Sequence, residues 1–138
     1  MLSIDDQLLN AGAQDLGLRL VVLFGSHARQ LPKPGPESDI DIAVYGCPRE
    51  RYWNCLEALS KAFGGGELDL VRLEDADALF RQEIMERGIR LYGDPDQFYE
   101  MRAYAYRDFV DSADLRALEK TLFEKKMARL EQALYGSP

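Results

Sequence analysis

Five consecutive apolar residues, Leu20 to Phe24, run into Gly25-Ser26, and beyond residues 27–38 a second apolar stretch carries two aspartates, Asp39 and Asp41. A run that is apolar on both faces suits a central strand, covered above and below, better than an edge strand. The Gly-Ser turn opens a short helix, and backbone N–H groups at such a turn can cradle phosphate. Carboxylates at i and i+2 on a strand point to one face and can share a divalent cation. A phosphate cradle beside a metal-binding pair is the equipment of phosphoryl or nucleotidyl transfer.

The rest of the chain supplies alternating strands and helices around this pair. Ser3 and Asp6 are spaced like a capping box ahead of a helix with an Ile4, Leu8, Leu9 stripe, which Gly17 closes. Leu31-Pro32-Lys33-Pro34-Gly35-Pro36 cannot be helical, because proline removes donors and fixes φ, so it reads as a loop feeding the second strand. That strand, Asp39 to Tyr45, places Ile40, Ile42 and Val44 on one face and Asp39, Asp41 and Ala43 on the other. Pro48 suits a helix first turn, and Tyr52, Leu56, Leu59 and Phe63 then recur at helical spacing up to Gly64-Gly65-Gly66. A third strand over Glu67 to Leu73 turns Leu68 and Leu70 one way and Asp69 the other, followed by a helix over Ala76 to Arg87 and a short strand over Ile89 to Tyr92. Gly93-Asp94-Pro95 marks the clearest internal boundary, dividing a core over 1–93 from a C-terminal helical extension over 94–138 expected to pack on the same domain. In that extension Phe98, Met101, Ala105 and Phe109 form one helical stripe, and Phe123, Met127, Leu130 and Leu134 form another, expected to be buried. The expected fold is α/β, a small mixed β-sheet with helices mainly on one face plus the C-terminal helices.

Composition narrows the function. With 138 residues the chain has the length of one domain. Its net charge of −7 argues against a nucleic-acid-binding module, whose affinity comes from Lys and Arg on phosphates, but not against a nucleotide held through metal ions. The acidity concentrates in residues 1–93. The apolar run Leu20 to Phe24 is far short of the roughly 20 residues of a membrane span, and the start Met1-Leu2-Ser3-Ile4-Asp5-Asp6 has no basic segment of an export signal. A cytoplasmic protein is expected, with Cys47 and Cys55 as reduced core thiols.

Each piece of the constellation has a plain alternative. A Gly-Ser turn is often only a turn, an Asp-x-Asp often a solvated strand face, and Asp69 alone a half-exposed strand residue. Together they change the balance. If Ile40, Ile42, Val44, Leu68 and Leu70 face a helical layer, Asp39, Asp41 and Asp69 project from the opposite face. Three converging carboxylates repel one another unless a cation neutralises them, and folding alone does not require such a cluster.

The order of strand, Gly-Ser, helix, Asp-x-Asp strand and lone Asp resembles the polymerase-beta-like nucleotidyltransferase superfamily. The wording Phe24-Gly25-Ser26-His27-Ala28-Arg29 and Ser38-Asp39-Ile40-Asp41-Ile42-Ala43-Val44 is similar to its minimal nucleotidyltransferase (MNT) branch, over residues 18–92. Many MNT proteins are antitoxins paired with HEPN-domain ribonuclease toxins. The resemblance implies that Gly25 and Ser26 hold the nucleotide triphosphate and that Arg29 steadies a phosphate. It implies that Asp39 and Asp41 ligate Mg²⁺, and that Asp69 completes the metal site and accepts the proton of the attacking hydroxyl. Gln30 departs from the Gly common at that position, which bears on the local loop shape.

The resulting expectation is Mg²⁺-dependent transfer of AMP from ATP to a hydroxyl, a tyrosine of a cognate HEPN toxin, in a chain that pairs with that toxin or with itself. Two alternatives stand beside it. One is a nucleotidyltransferase for a small molecule such as an antibiotic; the other is an antitoxin acting by binding alone. His27, the one histidine, is expected to face water, because metal-dependent nucleotidyl transfer needs no histidine base. Tyr99, Tyr104 and Tyr106 read as packing or interface anchors, and Lys120, Lys125, Lys126 and Arg129 as a solvated helix face.

Overall fold

A computed structural model describes residues 3–29 and 39–136. The proline-rich loop, Gln30 and Ser38 lie outside the described residues. Four strands form one sheet: β1 (Leu20–Phe24), β2 (Ile40–Tyr45), β3 (Leu68–Arg72) and β4 (Ile89–Tyr92), in the order β3-β2-β1-β4. β1 pairs antiparallel with both β2 and β4, whereas β2 and β3 run parallel. The run that is apolar on both faces is therefore central, and Leu20, Val21 and Val22 are fully buried.

Side-chain alternation divides the interior into two cores. On one face Val21, Leu23, Ile40, Ile42, Val44 and Leu70 meet α1 (Asp6–Leu16) and α3 (Tyr52–Ala62) through Leu9, Ala13, Cys55 and Leu59. The two helices approach closely where Gly12 faces Ala58; a Cβ on Gly12 would sit 3.4 Å from that of Ala58. On the other face Leu20, Val22 and Ala43 meet α4 (Ala78–Arg87) and α5 (Pro95–Asp111) through Ile84, Met85, Phe98 and Ala105. The mixed α/β architecture is the one expected. The α1/α3 pair forms the single-face layer read from the sequence, and α4 with α5 covers part of the second face as well. Truncating a fully buried residue such as Leu59 or Ile84 to Ala should cost about 2–5 kcal/mol.

Local details depart from the sequence reading where one side chain outcompetes another. α1 is capped by Asp5, whose Oδ1 accepts from the Leu8 N–H at 3.1 Å, rather than by a Ser3/Asp6 box. β3 ends at Arg72 and a 3₁₀ turn, Leu73–Asp75, follows. The next helix starts at Ala78 because Asp77 caps it by accepting from the Phe80 N–H at 2.8 Å. Arg72, its side chain only 11% exposed, fastens this corner: Nε donates to the Cys47 carbonyl at 2.6 Å and Nη1 to Asp75 at 2.8 Å.

α5 packs on α4, with Phe98 and Ala105 buried. The last helix, α6 (Ala113–Tyr135), buries none of its residues. The stripe expected to be buried is open: Phe123 is 62% and Leu134 72% exposed. The stripe recurs at helical spacing, but among the described residues no element lies against it. Among the described residues, no helix is long and apolar enough to cross a membrane.

Candidate functional site

The turn after β1 is built by Gly25, whose φ of +75° lies in the left-handed region and whose carbonyl accepts from the Arg29 N–H at 3.0 Å, starting α2 (Ser26–Arg29). Glycine is required there for a second reason. A Cβ at this position would lie 2.1 Å from Oδ2 of Asp41, so the absence of a side chain lets the carboxylate rest against the turn. Gly25 and Asp41, separated in sequence by the whole proline-rich segment, are in direct apposition.

The strand register sets the rest of the site. Asp41 is the Cα partner of Asp69 on β3 and of Phe24 on β1. Residues directly opposite across a sheet share a face, so Asp69, Asp41 and Phe24 form one row on the α4/α5 side. Asp39 and Asp69 are exposed and Asp41 is half-buried. Burial pushes the Asp41 carboxyl above its ordinary value, and the nearby charges of Asp69 and then Asp39 push it in the same direction. His27 and Arg29 draw it back down. Four ionisable neighbours thus act on one carboxylate. His27, expected to face water, is half-buried and part of this electrostatic cluster.

Like-charge repulsion of this kind disappears when a divalent cation binds. Among the described residues no three His, Cys, Asp or Glu side chains form a ready-made metal cage. Mg²⁺ is commonly held by one or two carboxylates together with phosphate oxygens and water, and a same-face pair of hard oxygen donors beside the Gly25-Ser26 turn fits that mode. The donors present suit Mg²⁺ and offer neither thiolate nor a histidine cluster to a softer metal.

Two neighbourhoods of the row were not legible as site residues. On the β3 side, the Tyr52 hydroxyl donates to the Leu70 carbonyl at 2.8 Å, and burial followed by the charge of Asp69 pushes its pKa up. On the β1 side, Phe24 stacks edge-to-face on Phe80 with ring centroids 5.8 Å apart. These rings open onto a cleft of about 410 Å³ that also reaches Gly25, Arg29, Glu83 and Arg87. The position of Phe24 immediately before the Gly-Ser turn was the available signal; the α4 residues had none.

The chain matches the polymerase beta nucleotidyltransferase family over residues 7–97. Among curated proteins no relative matches. A toxin–antitoxin crystal structure with AMP-PNP shares the fold with a TM-score of 0.69 at 22% identity, over 90% of this chain and 99% of that one. An MNT antitoxin in complex with a tri-AMPylated HEPN toxin from Shewanella oneidensis matches with a TM-score of 0.63 at 22% identity, over 89% of this chain and 96% of that one. With the family model matched over residues 7–97, about two thirds of its length, the chain belongs to the polymerase beta nucleotidyltransferases.

Proposed function

We propose that this nucleotidyltransferase moves AMP from ATP onto a tyrosine hydroxyl of a HEPN ribonuclease toxin, and so acts as its antitoxin. The observation that carries the reading is the seating of Asp41 against Gly25 and opposite Asp69, which supports reading these residues together as a phosphate turn, a cation ligand and a base. The likeness in fold to an antitoxin found with a tri-AMPylated toxin supports the acceptor.

Gly25 and Ser26 would hold the triphosphate, with Arg29 beside it as a phosphate-binding cation. Asp39 and Asp41 would hold Mg²⁺, and Asp69 would complete that set. The ion, when bound, offsets phosphate charge and stabilises the departing pyrophosphate. Asp69 accepts the proton of the acceptor hydroxyl as its oxygen attacks the α-phosphorus. The bond from that phosphorus to the bridging oxygen breaks on the opposite side, releasing pyrophosphate and leaving AMP esterified to the acceptor.

The decisive experiment incubates purified toxin with this protein, ATP and Mg²⁺, separates the two, and measures the toxin's intact mass and ribonuclease activity. Transfer predicts a toxin heavier by AMP units that stays inactive after separation, and no gain with the D39N/D41N double variant. An unmodified toxin that regains activity would establish inhibition by binding alone, and a modified small-molecule acceptor with untouched toxin would establish the antibiotic-type activity.

A further inference from the structure

We infer that the cleft between α2 and α4 receives the pyrophosphate end of the nucleotide and that Arg87 positions it alongside Arg29. The inference rests on the proposed transfer reaction, because it uses the direction of the chemical step. In-line displacement at phosphorus puts the attacking and leaving oxygens on opposite sides of the reacting centre. In the row Asp69, Asp41, Phe24, the candidate base stands at the β3 end and the cation-binding carboxylate in the middle. A hydroxyl entering at Asp69 therefore drives the leaving group toward Phe24 and Gly25. That is where the cleft begins.

The cleft has the furnishings for such a group. Its volume of about 410 Å³ is within the usual range for small-molecule sites. Gly25 and Arg29 form its wall on the turn side, and Arg87, in the last turn of α4, faces them from the other. Arg87 makes no ion pair among the described residues, whereas Arg49, Arg72 and Arg81 each bind an aspartate. A guanidinium presents a planar fork that matches two phosphate oxygens at once. Glu83 and Glu86 line the same cleft and offset the two arginines, so the unliganded cleft has no net charge. The balance suits a product that has to leave after each turnover.

The test is calorimetric titration of inorganic pyrophosphate, with Mg²⁺, into the full chain and three variants. R87A should weaken pyrophosphate binding by about tenfold, the scale of one charge-assisted bidentate contact, and R87K should fall between R87A and wild type. E83Q should move the other way and tighten it, because it removes a negative charge from the cleft. In transfer assays R87A should raise KM for ATP by a similar factor. Arg87 is exposed, so the melting temperatures of all three should stay near that of wild type. Equal pyrophosphate binding by wild type and R87A, or no binding by wild type, would overturn the inference even if AMP transfer proceeds normally. Failure of transfer to every acceptor, with pyrophosphate binding intact and dependent on Arg87, would instead overturn the reaction and leave the cleft as an anion site.

Discussion

Replacing Gly25 by alanine should damage stability and chemistry through two separable causes. The left-handed φ of +75° costs an alanine about 1–2 kcal/mol. The new Cβ would also meet Asp41 Oδ2 at 2.1 Å, where real contacts essentially never fall below 3.0 Å, so the carboxylate must retreat. Forcing that side chain off its rotamer adds about 0.5–1.5 kcal/mol. Together the terms amount to about 2–3 kcal/mol, or ~6–12 °C in melting temperature for a domain of this size. Displacing a catalytic group by about 1 Å typically reduces rate ~100-fold, so single-turnover transfer should fall by that order. A double-mutant cycle separates the causes by thermal melts of G25A, D41A and the pair. Once Asp41 is truncated, only the backbone term remains and the G25A penalty should shrink. If G25A melts and transfers like wild type, or costs as much in the D41A background, the account of this turn is wrong.

Three further outcomes follow from the same geometry. D41N should raise the melting temperature in metal-free buffer, because it removes a carboxylate raised by burial and by Asp69 and Asp39, while abolishing transfer; a destabilised variant would contradict the repulsion. Hydrogen bonds from Arg72 and then Arg49 hold the Asp75 carboxyl below its ordinary value of 3.8, so its stabilising contribution is complete above that pH and is lost as pH falls through the lower folded value. Acid titrations of wild type and D75N should therefore diverge above pH 4 and converge below it. Ending the chain after Leu118 should leave the melting temperature within about 2 °C, since α6 buries nothing, and a much larger loss would show that the helix is packed.

The sequence revealed those parts of the fold that depend on nearest neighbours. Leu20 to Phe24 could be placed as a central strand because no edge strand needs apolar side chains on both faces. The alternation of Ile40, Ile42 and Val44 against Asp41 and Ala43 put the aspartate on the correct face of β2. Cap positions were less legible: Asp5 and Asp77 each won over a neighbouring start, and only the geometry of the N–H they accept decides between them. The apolar stripe of α6 was real, but periodicity reports that a helix has a face and not what covers it. Within the site, Asp39, Asp41 and Asp69 were visible as residue types at strand spacing. Their relation to Gly25, to His27 and to the Phe24/Phe80 cleft depends on strand register and helix placement, which no local pattern encodes.

The parallel pairing of β2 with β3 has a kinetic consequence. Antiparallel β1 and β2 bring Gly25 and Asp41 together directly, but β3 can reach β2 only after the chain has crossed through α3 and back. Closing that longer loop costs chain entropy before its contacts form, so Asp69 should be the late arrival during folding. A molecule whose α3 has loosened would keep the Gly25-Ser26 turn and lose Asp69, the proposed base. Such a form could hold nucleotide without spending it, and amide exchange along β3 faster than along β1 would reveal it.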